Sequence, residues 1–217
     1  MDVLVLGGHG KIARRLLRRL ADAGHAARGV IRDPAQADAI SQAGASPIVF
    51  DLEHDRGLPR HLDGADAAVF AAGAGPGSGP DRKRTVDLGG AVGLIEACRE
   101  AGVSRYVMVS AIGVGRPGQY PAAIEPYYEA KREADEALLR SGLEYTIVRP
   151  GRLTDDPGSG LVEVGAPLTG SGEIPRDDVA ATLHAVLETP ASAGLSFDLI
   201  GGATPIEAAL ASLATGA

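Results

Sequence analysis

Asp2-Val3-Leu4-Val5-Leu6-Gly7-Gly8-His9-Gly10-Lys11-Ile12-Ala13 is the stretch that decides how this chain is read. Asp2–Leu6 has the apolar run of a short buried strand, and three glycines then interrupt it. Beyond them Ile12, Leu16, Leu17 and Leu20 fall at helical spacing, so a helix is expected over Lys11–Ala23, terminated by Gly24. Arg14, Arg15, Arg18 and Arg19 lie between those apolar positions and read as a solvated helix face. Strand, glycine turn and helix in this order have a chemical meaning. Glycines let the backbone approach a pyrophosphate, and a helix N-terminus offers it free N–H groups. Gly7, Gly10 and Ala13 fit G-x-x-G-x-x-A, while Gly8, Gly10 and Ala13 fit G-x-G-x-x-A. The turn formed by Gly7, Gly8, His9, Gly10, Lys11 and Ile12 is therefore expected to hold the phosphates of a dinucleotide.

Further along, strands are expected at Ala26–Arg32, Pro47–Phe50, Ala65–Ala72, Arg105–Ser110 and Glu144–Val148. Helices are expected from Pro34 toward Ala43 and over Asp81–Ala101 and Glu125–Ser141. This alternation predicts a Rossmann-type α/β fold, a doubly wound parallel sheet whose strands all end on one ligand-binding edge. After Pro150 the pattern loosens into strands at Leu161–Val164 and Ser196–Ile200 and helices at Arg176–Glu188 and Pro205–Leu213. That tail is too small for a separate domain. It reads as a substrate-side cap (151–217) on a cofactor-binding core (1–150).

The totals agree. A chain of 217 residues, 45% hydrophobic and 23% charged, holds one ordinary core, and with 4% aromatics that core is aliphatic. A net charge of −7 argues against a nucleic-acid surface. No apolar run nears the ~20 residues of a membrane helix, and a strand starting at Asp2 leaves no room for a signal peptide. The expected location is cytoplasmic. Cys98 is the single cysteine, so there is no disulfide framework. His9, His25, His54, His61 and His184 are dispersed without metal-ligand spacing, and no metal is expected.

The end of the second strand chooses between cofactors. An acidic residue there suits a ribose 2′-hydroxyl, an arginine a 2′-phosphate. In Val30-Ile31-Arg32-Asp33 the arginine comes first, and Lys11 can add a second positive charge, so NADP is favoured over NAD. Asp33 reads either as a ribose ligand or as a helix N-cap before Pro34. Asp51 and Leu52 are placed to meet the adenine edge or to form a strand-end turn. Ala71, Ala72 and Gly73 have little side chain, which lets a ribose lie against the backbone. Arg149-Pro150-Gly151 ends the sixth strand beside the nicotinamide, with Arg149 held extended by the proline, and Leu153–Ser159 reads as a mobile flap. Gly73–Pro80, Ile112–Ile124 and Leu153–Ser171 are the expected walls of the substrate pocket.

These features, with Val86-Asp87, Val109-Ser110, Tyr127-Tyr128-Glu129-Ala130-Lys131, Tyr145–Gly151 and Ile174–Ala180, resemble the atypical short-chain dehydrogenase/reductase family. The closest likeness is to its NAD(P)H-binding, NmrA-like and biliverdin-reductase-B-like branch. The resemblance spans nearly the whole chain and implies a nicotinamide cofactor, usually NADPH. It also implies chemistry by Tyr127 and Lys131 with Ser110 upstream. Lys131 would hold the nicotinamide ribose and lower the Tyr127 pKa through its charge, four residues along one helix face. Ser110 would hydrogen-bond a substrate carbonyl, and Tyr120 is a second candidate ring. The expected function is an NADP-dependent oxidoreductase acting on a small-molecule carbonyl or similar group. The alternatives are an NADPH-sensing module without turnover and, ranked below it, a nucleotide-sugar epimerase or dehydratase.

Overall fold

A computed structural model describes residues 1–75, 77–115, 120–168 and 172–215. The chain opens with β1 (Asp2–Leu6), α1 (Lys11–Asp22) and β2 (Ala26–Ile31). A single 3₁₀ turn (Pro34–Gln36) leads into α2 (Ala37–Ser41), and β3 (Ser46–Val49) follows. A second 3₁₀ turn (Leu58–Leu62) precedes β4 (Ala67–Phe70). Next come α3 (Pro80–Arg82), a π-helical stretch (Lys83–Gly89), α4 (Gly90–Ala101), β5 (Arg105–Val109), α5 (Glu125–Leu139) and β6 (Glu144–Pro150). The remainder is β7 (Arg152–Thr154), β8 (Leu161–Gly165), β9 (Glu173–Pro175), α6 (Arg176–Glu188), β10 (Leu195–Gly201), β11 (Thr204–Pro205) and α7 (Ile206–Thr215).

Nine strands form one sheet in the order β11-β8-β10-β6-β5-β4-β1-β2-β3. From β3 to β10 every pairing is parallel, and β8 and β11 extend the far edge antiparallel. The strand order reverses between β1 and β4, and the cleft at such a switch point is where dinucleotides bind in these folds.

Alternation along β1 shows how the layers form. Val3 and Val5 pack in one core with Leu16, Leu17 and Leu20 of α1 and Val179 and Leu183 of α6. Leu4 and Leu6 pack on the opposite face with Leu94 and Cys98 of α4 and Leu138 of α5. Successive strand side chains point to opposite faces, so an all-apolar strand needs helices on both sides. Here it has them.

Some expectations change. The helix expected over Asp81–Ala101 is three consecutive pieces, with the π-helical Lys83–Gly89 in the middle. β6 runs to Pro150, which pairs with Leu199 of β10, so the sixth strand does end at Arg149-Pro150. Leu153–Ser159 is not a free flap. Its first residues lie in β7, paired with β9, and Asp155 is held by Lys11 at 2.5 Å and Arg176 at 2.9 Å. The backbone N–H groups of Ser159 and Gly160 both donate to Asp178, at 2.9 and 2.8 Å. Residues 76, 116–119 and 169–171 of the expected pocket walls lie outside the described residues. Among the described residues, no helix is long and apolar enough to cross a membrane.

Candidate cofactor cleft and active site

The glycine turn is built by close approach. Gly7 adopts φ +84°, and a Cβ there would lie 2.6 Å from the Cα of Ala72, so β1 and β4 touch only because residue 7 has no side chain. Gly10 N–H donates to the Gly7 carbonyl at 2.8 Å and closes the turn. Gly10 is also the N-cap of α1, with no side-chain cap and no acidic residue in the first turn. The first N–H groups of a helix lack intrahelical acceptors, so this helix start remains an electropositive anion cradle.

A cleft of about 310 Å³ opens beside it, lined by Gly7, His9, Gly10, Arg32, Asp51, Leu52, Ala71, Ala72 and Gly73 among others. Nine of the expected cofactor residues therefore meet at one place. The others stand elsewhere. Gly8 is buried against β2, its N–H donating to Val30 at 2.8 Å. Ile12 packs into the core. Lys11 does not face the cleft, because its ammonium is taken by Asp155. Pro150 and Gly151 are also set by packing. A Cβ on Gly151 would lie 2.2 Å from the Gly172 carbonyl, and its N–H donates to Leu199. Arg149 does not turn to a ligand either; its Nε donates to the buried Asp135 at 2.9 Å.

Two ambiguities resolve by hydrogen bonding. Asp33 is an N-cap, accepting from the Ala35 N–H at 3.0 Å, which leaves exposed Arg32 on the cleft rim. Asp51 makes the strand-end turn while still lining the cleft. It accepts from the Glu53 N–H at 2.9 Å, and that bond holds its carboxyl below the usual carboxylate range.

The opposite wall was missed from sequence. Arg82 and Glu53 both line the cleft, 3.0 Å apart. The Thr85 hydroxyl donates to Glu53 at 2.6 Å, and this bond, ahead of Arg82, lowers the Glu53 pKa. A sequence signal existed: Arg82-Lys83-Arg84 opens a helical stretch, where cations oppose the helix dipole unless something else fixes them.

Next to Gly73 lies a buried group of charges. Asp87, in the π-helical stretch, accepts from the Ala74 N–H at 3.1 Å and sits 3.5 Å from Lys131 Nζ. Lys131 is 4% exposed and donates to the Val109 carbonyl at 3.1 Å. Its Nζ lies 6.0 Å from the centre of the Tyr127 ring. Ser110 follows Val109 directly, and the buried Ser110 hydroxyl and Asp87 Oδ1 have no hydrogen-bond partner. Lys131 thus lies near the Tyr127 ring and bonds the residue before Ser110.

One expectation about it is corrected. Lys131 does not lower the Tyr127 pKa: burial pushes the phenol up, and the carboxylates of Asp87 and Asp135 push it further. The ammonium is already matched by Asp87, so little of its field is left for the ring. Tyr120 stacks flat on Tyr128, with ring centres 3.8 Å apart. The histidines are also less dispersed than the sequence implied. His25 and His184 meet with ring centres 5.9 Å apart.

Residues 7–190 match the NAD(P)H-binding family. The chain belongs to it. The match supports a nicotinamide cofactor, and the cleft agrees through its glycine cradle and uncapped helix start. The chain is 40% identical to a Bacillus subtilis protein named as an uncharacterized sugar epimerase, over 98% of this chain and 100% of the relative. It superposes with TM-score 0.93 on a Bacillus halodurans structure provisionally assigned as an NAD-dependent epimerase/dehydratase. That structure is 37% identical, with 98% and 99% of the two chains covered. A Lactococcus lactis oxidoreductase superposes with TM-score 0.87 at 29% identity, over 98% and 96%. The family is of the atypical short-chain dehydrogenase/reductase type, and the chain is oxidoreductase-like within it.

Proposed function

We propose that this protein is an NADP-dependent oxidoreductase that reduces a carbonyl or similar polarised double bond on a small molecule. The observation that carries the reading is the joining of Lys131 to Val109, Asp87 and Tyr127 directly beside the glycine-walled cleft. Gly7, Gly10 and the start of α1 would hold the pyrophosphate. Arg32 would take a 2′-phosphate, since Asp33 is engaged as a cap and offers no competing ribose ligand. Bound there, the cofactor supplies hydride. The chain's own residues supply position and a proton. The Ser110 hydroxyl, whose present neighbour is the Asp135 carboxylate, would donate to a carbonyl oxygen. Tyr127 stays a phenol at neutral pH, so it serves as a proton donor and not as a resting base. Lys131 fixes the donor's surroundings from a buried position, and Asp87 holds its ammonium in place.

The test is Tyr127→Phe, assayed by NADPH oxidation with an aromatic ortho-quinone as a carbonyl probe. Loss of a general acid lowers kcat by roughly 100-fold or more, with NADPH affinity unchanged. Equal turnover by the variant removes Tyr127 from the mechanism. Tight NADPH binding without oxidation of any carbonyl would instead favour a sensing module. A second reading has support from the names of the full-length relatives: epimerisation of a nucleotide sugar. It predicts isomerised product with no net change in the cofactor.

A further inference from the structure

At the sheet edge opposite the cleft, His25, His184 and Glu188 gather on the α6 side of the molecule. His25 sits in the turn between α1 and β2, and His184 and Glu188 stand one turn apart at the end of α6. Their ligand atoms all lie within 4.8 Å of one another. His25 Nε2 is 3.3 Å from Glu188 Oε1, and His184 Nε2 is 3.6 Å from the same oxygen. Zinc–nitrogen and zinc–oxygen bonds of about 2.0–2.1 Å at tetrahedral angles require ligand atoms about 3.3–3.4 Å apart. The two nitrogen–oxygen separations already stand near that spacing, and the two nitrogens lie within 4.8 Å of each other.

We propose that His25, His184 and Glu188 form a zinc site, with a solvent molecule as fourth ligand.

Three further observations bear on it. The Nε2 of His184 is buried and has no hydrogen-bond partner, a cost that a metal bond would remove. The site closes on the C-terminal end of α6, whose last turn carries no basic residue, and a helix C-terminus favours a cation. The Arg19 guanidinium, whose charge reaches His184, opposes a cation there. His25 Nδ1 faces the Met1 nitrogen at 3.2 Å, which holds the ring with Nε2 toward Glu188. Two imidazoles and a carboxylate suit zinc better than magnesium or calcium, which prefer all-oxygen ligand sets. The site would pin α6 to the α1–β2 turn, far from the proposed chemistry.

Zinc chloride titrated calorimetrically into EDTA-treated full-length protein should bind one equivalent. Zinc should also raise Tm by mass action. Cobalt(II) in its place should give the intense visible absorption of a tetrahedral ion. His184→Ala and the more exposed Glu188→Gln should each weaken zinc binding at least 10-fold. Glu188→Gln guards against a folding defect, since its metal-free Tm should match that of the unaltered protein. Absence of zinc uptake, a pale six-coordinate cobalt spectrum, or equal uptake by Glu188→Gln overturns the proposal.

Discussion

A single methyl group at Gly7 would have to displace the backbone of Ala72, and it would sit on a residue with φ +84°. The left-handed conformation alone costs about 1–2 kcal/mol for an L-residue, before any separation of β1 from β4. We predict that Gly7→Ala lowers Tm by roughly 2–8 °C or more, at about 2–4 °C per kcal/mol for a chain of this size. Thermal unfolding followed by circular dichroism checks it, and an unchanged Tm would mean that the turn does not need its glycine. This residue was legible in the sequence because its constraint is local: a strand, a turn and a helix leave few ways to connect. The same holds for Arg32 and for Ser110, which directly follow strands. The partners of Lys11 and Arg149 were not legible, for the complementary reason. Asp155 and Asp135, which take their charges, are 144 and 14 residues away, and only the folded chain brings them close. The His25–His184 pairing was hidden in the same way.

The segment that positions the chemistry is the one least like an ordinary helix. Lys83–Gly89 is π-helical and delivers Asp87 to Lys131 and to the Ala74 N–H. Short π segments are frequent at functional sites because they offset the helical register. The sequence period shows only a long helix, since no residue pattern marks the shift and the packing of α5 against this segment fixes it. β7 and β9 were equally unreadable. Three residues carry no period, and each strand exists because the other pairs with it. At this scale we predict a large effect from Asp87→Ala. It leaves the buried Lys131 ammonium without its carboxylate, and unpairing one partner of a buried ion pair costs about 3–5 kcal/mol. Chemical denaturation should show that loss, and Asp87→Ala/Lys131→Met should recover most of it. A double variant no better than the single one would show that Asp87 matters through the Ala74 bond instead.

For the molecule as a whole, two cores on the faces of one sheet bury groups whose ionisation they resist. Burial raises the Cys98 thiol from 9.0 to about 12 and lifts the Tyr106 phenol well above 10.0. The unfolded chain releases these protons at its ordinary values, while the native state holds them. Their contribution is therefore complete below about pH 9 and is lost as the pH climbs toward the folded values. Tm should fall steadily between pH 9 and 11, and a thiol reagent should label Cys98 only on unfolding. A flat Tm over that range, or rapid labelling of the native protein, would contradict the packing of α4 against the sheet. The parallel, doubly wound sheet was legible from alternation and crossover length up to β6, but the order of its strands was not. The addition of β10, β8 and β11 was not, because it depends on which sheet edge the last third of the chain returns to.

All three scales meet in the cleft between β1 and β4, so its ligand is the point on which the account stands. The direct measurement is a thermal-shift titration with NADPH, NADP, NADH and NAD at equal concentrations. Binding to the native state at 100 times Kd adds about 2.7 kcal/mol, a rise in Tm of roughly 5–11 °C. The account predicts such a rise with NADPH and NADP and a smaller one with NADH and NAD. A larger shift with NADH would remove Arg32 as the discriminating residue, and no shift with any of the four would contradict the central claim.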